Sequence, residues 1–129
     1  MQKLIVSGVL PGLNEIINAN RANRYQGSEQ KKDETNRVYR SCKASKLKPI
    51  DGLNDYTFIW YCKDKRRDKD NIMAGQKFIF DGLQSAGIIE NDGRKQIGDI
   101  NHRFLIDKEN PRVEVEIRSR KWTGKRKED

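Results

Sequence analysis

Two aspartates that lie two residues apart form the pattern in this chain with the clearest chemical meaning. Asp68 and Asp70 closely follow the most apolar segment, residues 56–62, which has the composition of a central β-strand. In an extended segment, side chains at positions i and i+2 point to the same side, so the two carboxylates share a small volume. Such carboxylates repel each other unless a cation lies between them or one binds a proton. The pattern therefore predicts a site for Mg²⁺ or Mn²⁺, which prefer oxygen ligands.

Asp92 and Lys77 are candidates for the same site. Asp92 lies in the turn at residues 91–93, after a predicted helix, and we expect the strand–helix–strand unit to return this turn to the end of the strand. Lys77 follows Asp70 at helical spacing and is expected to point to the same side. A lysine there would place positive charge beside a bound phosphate.

A simpler interpretation of these residues involves no site. Asp68 and Asp70 lie in a Lys/Arg-rich run and could belong to a solvated loop, and Lys77 with Asp81 could form a surface ion pair at spacing i,i+4. A calcium-binding EF-hand is excluded, because apolar residues occupy two of the positions that must supply ligands.

The elements that position these residues are predicted from hydrophobic periodicity. Strands are predicted at residues 3–10, 56–62, 96–106 and 112–118, helices at 13–24, 37–47 and 71–86, and loops or turns at 26–35, 49–54, 91–93 and 110–111. The order β-α-α-β-α-β-β predicts one small α+β domain, with helices packed on a mixed or antiparallel sheet. We expect this domain at residues 1–118 and a basic tail at 119–129.

The composition of the chain argues against some classes of protein and favours others. The 129 residues carry a net charge of +8, so we expect an anionic partner, with nucleic acid favoured over an anionic membrane surface. No apolar run approaches the roughly 20 residues of a membrane helix, and the N-terminus lacks a signal peptide, so a cytoplasmic protein is expected. Two cysteines outside any CxxC motif argue against a disulfide scaffold or a structural zinc site.

Several other reactive residue types are assigned structural roles. We expect four of them in the core: Cys42, Trp60, Tyr61 and Cys62. His102, alone in its strand, is expected to be structural rather than catalytic. Trp122 in the basic tail could stack on a base, although packing against the domain is the more common case.

Three segments together resemble the RusA family of Holliday junction resolvases. They are the RDxDN run at residues 66–71, the lysine followed by Asp-Gly-Leu at 77–83, and the acidic turn after a glycine at 87–92. The chain departs from the family pattern by Asn91, where the first of two acids is usual, and by extra residues between Asn71 and Lys77.

The resemblance implies a small homodimeric α+β endonuclease that needs Mg²⁺ or Mn²⁺ and resolves four-way DNA junctions by paired symmetric nicks. Asp68, Asp70 and Asp92 match the family's metal ligands, and Lys77 matches its essential lysine. We expect six basic residues to contact the DNA: Arg66, Arg67, Lys69, Lys95, Arg120 and Lys121.

Three alternatives remain open at this stage. A non-catalytic branched-DNA-binding protein would keep the basic charge without needing the acidic residues. A flap-directed or RNA-directed nuclease would share the site but cut another substrate. A basic domain that binds a membrane surface would bind liposomes.

Overall fold

The computed structural model describes residues 1–120, which form four strands and four helices. In chain order the elements are β1 (Gln2–Ser7), α1 (Leu13–Ala22), α2 (Arg24–Ala44), β2 (Asn54–Cys62), α3 (Lys69–Met73), α4 (Gln76–Ser85), β3 (Ile97–Ile106) and β4 (Arg112–Ser119). The strands form one sheet, which confirms the predicted α+β class. In this part of the chain, every helix is too short or too polar to cross a membrane.

The sheet is mixed and has the strand order β1-β4-β2-β3. β2 pairs in parallel with β3 and antiparallel with β4, and β1 pairs antiparallel with β4. β2 therefore has a neighbour on each side, as its apolar sequence predicted. The parallel pair is the one joined through α3 and α4, because parallel strands need a long crossover connection.

The helices pack on one face of the sheet, where alternate strand residues are buried. These include Leu4 and Val6 of β1, Tyr56, Phe58 and Trp60 of β2, and Val113, Val115 and Ile117 of β4. The opposite face is charged: Arg112 forms ion pairs with Glu114 at 2.7 Å and with Asp107 at 2.8 Å. The hydrogen bond from Arg112 lowers the pKa of Asp107.

Not all of the residues expected in the core lie there, because one of them is on the opposite, charged face of the sheet. Trp60 and Cys42 are buried, and burial raises the pKa of the Cys42 thiol to about 11. Cys62 is only half-buried. Tyr61 lies on the charged face, where the Arg112 guanidinium carbon is 3.8 Å from its ring centre. Its assignment to the core was wrong, because consecutive residues of a strand face opposite sides.

His102 has the structural role that was expected of it. Its Nδ1 accepts a hydrogen bond of 2.9 Å from the indole Nε1 of Trp60, and its ring stacks on Phe58 and Phe104. Burial lowers the pKa of His102 and so favours the neutral imidazole, which is the form that can accept this hydrogen bond. The pair links β2 to β3 close to the point where the chain leaves the sheet.

Helix α2 begins at Arg24, so the predicted loop at residues 26–35 was wrong. The side chain of Asn23 caps the helix by accepting a hydrogen bond of 2.7 Å from the Gln26 amide. Only Val38 and Cys42 of its 21 residues are buried. The first half therefore has no apolar stripe from which a helix could be predicted.

The predicted helix at residues 71–86 is two helices, α3 and α4, with Gly75 between them. A Cβ at Gly75 would lie 3.3 Å from Leu10 Cβ and 3.3 Å from an indole carbon of Trp60. The apolar residues of this segment are buried nevertheless, as Ile79 shows. The break thus lies where the helical segment packs against Leu10 and Trp60.

Helices α2 and α4 approach each other closely at Gly82, where a Cβ would lie 2.3 Å from Val38 Cγ1. We expect Gly82→Ala to lower the free energy of unfolding by about 1–3 kcal/mol, because the methyl group forces the helices apart. Urea unfolding measures this change. Gln84→Ala, at an exposed position of the same helix, is the control and should change stability by less than about 0.5 kcal/mol. Equal midpoints for wild type and Gly82→Ala would contradict this account of the packing.

Candidate functional site

The segment that leaves β2 forms a cleft of about 390 Å³ with the start of α1. Eight residues line this cleft: Leu13, Asn14, Glu15, Arg66, Arg67, Asp68, Asp70 and Asn71. Asp68 immediately precedes α3, and Asp70 lies in the first turn of that helix. The predicted extended geometry was wrong, because Asp70 belongs to α3, but both predicted carboxylates line this one cleft.

Both carboxylates are accessible to a ligand. Asp68 and Asp70 are exposed, and neither forms an ion pair within residues 1–120. Asp70 Oδ1 accepts a hydrogen bond of 2.9 Å from the Asn71 amide, whereas the Asp68 side chain makes no capping bond. The remaining carboxylate oxygens can bind a cation.

Two contacts attach this acidic segment to the start of α1. Asn71 Oδ1 accepts a hydrogen bond of 3.0 Å from the Asn14 amide, and Arg67 forms an ion pair of 3.0 Å with Glu15. Gly12 permits the close approach, since a Cβ there would lie 2.6 Å from Asn71 Oδ1. Arg67 and Asn71 therefore hold the acidic segment in position. Sequence reasoning missed Glu15 as a member of the cleft and Gly12 as the residue that permits the close approach.

Two other predicted DNA-contacting residues lie on either side of Asp68. The side chain of Arg66 is 89 % exposed, and its one ion pair within residues 1–120, with Asp64, is long at 3.9 Å. Lys69 is exposed as well, and its Nζ lies 5.4 Å from the ring centre of Phe104 on β3. The carboxylates thus have cations beside them that can bind phosphate.

Lys77 is exposed on α4, beyond the helix break. Since Asp70 belongs to α3, the inference that one helical face carries both residues was wrong. The simpler surface-pair interpretation is not supported either. Within the described chain no ion pair joins Lys77 to Asp81, and Asp81 Oδ2 is buried without a hydrogen-bond partner.

Asp92 and Lys95 lie at the other end of the sheet from Asp70. Their turn precedes β3, whose first residue, Ile97, pairs with Asn54 at the start of β2. β2 has nine residues and so spans about 25 Å. The expected return of the turn to the end of β2 does not occur, because a parallel crossover leads back to the start of the strand. Residues 1–120 accordingly contain no cluster of three His, Cys, Asp or Glu that could hold a metal.

Arg120 and Lys121 were predicted to contact DNA from the tail. The side chain of Arg120 is only 8 % exposed and binds Asp55 and Asp99, the latter at 3.1 Å. It therefore fixes the end of β4 to the sheet. Lys121 and the rest of 121–129, with Trp122, lie outside the described residues.

A comparison with protein family models shows which family the chain belongs to. The family model for endodeoxyribonuclease RusA matches residues 17–118, which is most of the chain. The chain belongs to the RusA family. The match includes the whole acidic segment and confirms the resemblance seen in the sequence. Membership in the RusA family implies a DNA-binding nuclease that resolves Holliday junctions, and so a role in DNA recombination. No curated protein matches the chain.

Proposed function

We propose that this RusA family member is a metal-dependent endonuclease that resolves four-way DNA junctions by paired symmetric nicks. The observation that carries the proposal is the cleft at α3, where the exposed carboxylates of Asp68 and Asp70 have the exposed cations Arg66 and Lys69 beside them. Phosphodiester hydrolysis uses both features, because carboxylates bind the metal and cations hold the DNA backbone.

The donor set of the cleft fits Mg²⁺ or Mn²⁺. These cations prefer oxygen ligands, and Mg²⁺ usually takes one or two carboxylates and keeps several waters. Asp68 and Asp70 offer two exposed carboxylates without ion-pair partners in residues 1–120. When bound, such a metal polarises the scissile phosphate and lowers the pKa of a bound water.

Other residues in and near the cleft bind and orient the substrate. Arg66 and Lys69 hold phosphates next to the scissile one, and these contacts fix the register of the DNA. Arg67 and Asn71 act through α1 and keep the acidic segment in place. Lys77 lies on the next helix, α4, and has no ion-pair partner in the described chain. We assign it the role of stabilising the negative charge that develops on the phosphate.

A second copy of the chain could supply its own Asp92 to the site that Asp68 and Asp70 form. β3 is an edge strand with three exposed apolar residues, Ile100, Leu105 and Ile106. The other edge, β1, is partly covered, because the Ile5 amide bonds Ser45 Oγ at 3.1 Å. An uncovered edge strand with apolar side chains favours pairing with another strand. We therefore propose a homodimer in which two β3 strands pair antiparallel about a two-fold axis.

Antiparallel pairing brings the start of one β3 strand to the end of the other. The turn before β3 then carries Asp92 of the partner subunit toward the end of β2, where Asp68 and Asp70 lie. Each site is completed by residues of both copies. Two sites related by a two-fold axis suit a four-way junction, which has approximate two-fold symmetry, and can place nicks in two strands.

A substrate panel tests the proposed function. The wild-type protein is incubated with a labelled four-way junction, a flap, a linear duplex and an RNA duplex, each in Mg²⁺, in Mn²⁺ or in EDTA. We expect cleavage of the junction alone, and only with metal. Tight junction binding without cleavage in either metal would favour the non-catalytic alternative, and flap or RNA cleavage at a comparable rate would favour the other nuclease.

A further inference from the structure

Helix α1 and the first two thirds of α2 form a helical hairpin, residues 13–37, that contributes little to the core. We name it the hairpin arm. None of the buried residues of either helix lies within it, and Ile16 is its one side chain packed against the core cluster of the described chain. The helices run antiparallel, because Gln30 Nε2 donates to the Glu15 carbonyl and Gly27 lies against Asn20. The arm folds without supplying a core, so its sequence is available for binding.

The tip of the hairpin arm combines an exposed aromatic ring with positive charge. Tyr25 is 72 % exposed, the most of any large aromatic side chain in residues 1–120. Residues 18–28 include Arg21 and Arg24 and no acidic residue. In the described structure neither arginine has an ion-pair partner. An exposed ring close in sequence to two arginines without ion-pair partners in residues 1–120 suits a ligand with flat faces and phosphates.

The base of the hairpin arm is attached to the acidic segment. The contacts of Asn14 with Asn71 and of Glu15 with Arg67, both 3.0 Å, join the first turn of α1 to the residues around Asp68 and Asp70. DNA whose phosphate is bound in the cleft therefore lies beside the arm. This adjacency favours nucleic acid over a protein or a lipid surface as the ligand of the tip.

We propose that the hairpin arm recognises the branch point of the DNA junction, with the Tyr25 ring stacked on an unstacked base and Arg21 and Arg24 on the flanking phosphates. The inference rests on the proposed function and adds the residues that distinguish a junction from a duplex. Base–aromatic stacking tolerates any base, because every base has a π-face. A linear duplex offers no unstacked base, so Tyr25 acts on branched DNA only.

Binding measurements in EDTA test the role of the arm apart from cleavage. Fluorescence anisotropy gives Kd for a four-way junction and for a linear duplex. We expect Tyr25→Ala to weaken junction binding about 5- to 100-fold and duplex binding less than about 2-fold. Tyr25→Phe keeps the ring and should bind like wild type. Tyr39→Ala is the matched control, since Tyr39 is an exposed tyrosine of the same helix outside the arm.

The outcomes separate this inference from the proposed function. Equal junction affinities for Tyr25→Ala and Tyr39→Ala, in a wild type that prefers junctions, would overturn the role of the arm alone. Equal losses on junction and duplex would also overturn it, because they indicate general DNA binding. A wild type without preference for junctions would overturn both. Far-ultraviolet circular dichroism confirms that each variant is folded.

Discussion

Asp70→Asn is expected to reduce the rate of junction cleavage by at least about 10²-fold and to leave junction affinity within about 2-fold of wild type. Asparagine has nearly the shape of aspartate but lacks the charge that a divalent cation requires. Asp70 is exposed and pairs with no cation in residues 1–120, so its replacement disturbs no ion pair of the fold. Single-turnover cleavage in Mg²⁺ and anisotropy in EDTA measure the two quantities separately.

Asp51→Asn is the matched control for this variant. Asp51 is an exposed aspartate in the loop before β2, and its replacement removes the same charge away from the cleft. It should cleave at the wild-type rate. If Asp70→Asn cleaved at the same rate as Asp51→Asn, the α3 cleft would not be the metal site. Asp68 and Asp70 would then fit the simpler interpretation of a solvated loop.

Mixed dimers are expected to regain activity that neither parent variant has. Asp70→Asn and Asp92→Asn homodimers should both be inactive, because each lacks one ligand in both sites. In a dimer with one chain of each kind, the proposed arrangement puts both substitutions in one site and leaves the other site intact. Nicking of a four-way junction should therefore reach about half of the wild-type initial rate.

Co-expression with two different tags isolates the mixed dimer for this measurement. If all ligands came from one chain, each site of the mixed dimer would carry one substitution, and the mixed dimer would be as inactive as its parents. An active Asp92→Asn homodimer would instead show that Asp92 is not part of the site. Either result would contradict the pairing of β3 strands as the origin of the site.

The strands were the most predictable part of the fold, because burial on one face of a sheet imposes alternation on the sequence. Val113, Val115 and Ile117 alternate with charged residues along β4, which predicts that they share one inner face, and all three are buried. The apolar segment at residues 56–62 was assigned to a central strand, and β2 lies between β3 and β4. These patterns are local, so one sequence is enough to recognise them.

The helices were less predictable, because distant residues determine where they begin and end. Gly75 interrupts the predicted helix 71–86 where it meets Leu10 and Trp60, which are far away in the sequence. The first half of α2 is a helix without an apolar stripe, held at its start by the Asn23 cap. The sequence of such a helix has no hydrophobic periodicity from which it could be predicted.

The acidic part of the cleft was predictable, and its surroundings were not. Asp68 and Asp70 lie two residues apart, so their proximity follows from the chain itself. The link between Arg67 and Glu15 spans 52 residues and leaves no periodic signal. The position of Asp92 depends on the parallel pairing of β2 with β3. The sequence predicted a mixed or antiparallel sheet and did not specify how these two strands pair.

Paired nicks in branched DNA are the activity proposed for the two α3 clefts of a two-fold dimer. A supercoiled plasmid with an extruded cruciform distinguishes paired from single nicks, because two nicks made within one complex yield a linear product. We predict that wild-type protein in Mg²⁺ converts the plasmid directly to the linear form, whereas the mixed Asp70→Asn and Asp92→Asn dimer stops at nicked circles. Wild-type protein that yields nicked circles alone, or that binds the cruciform and leaves the plasmid supercoiled, would contradict the proposal.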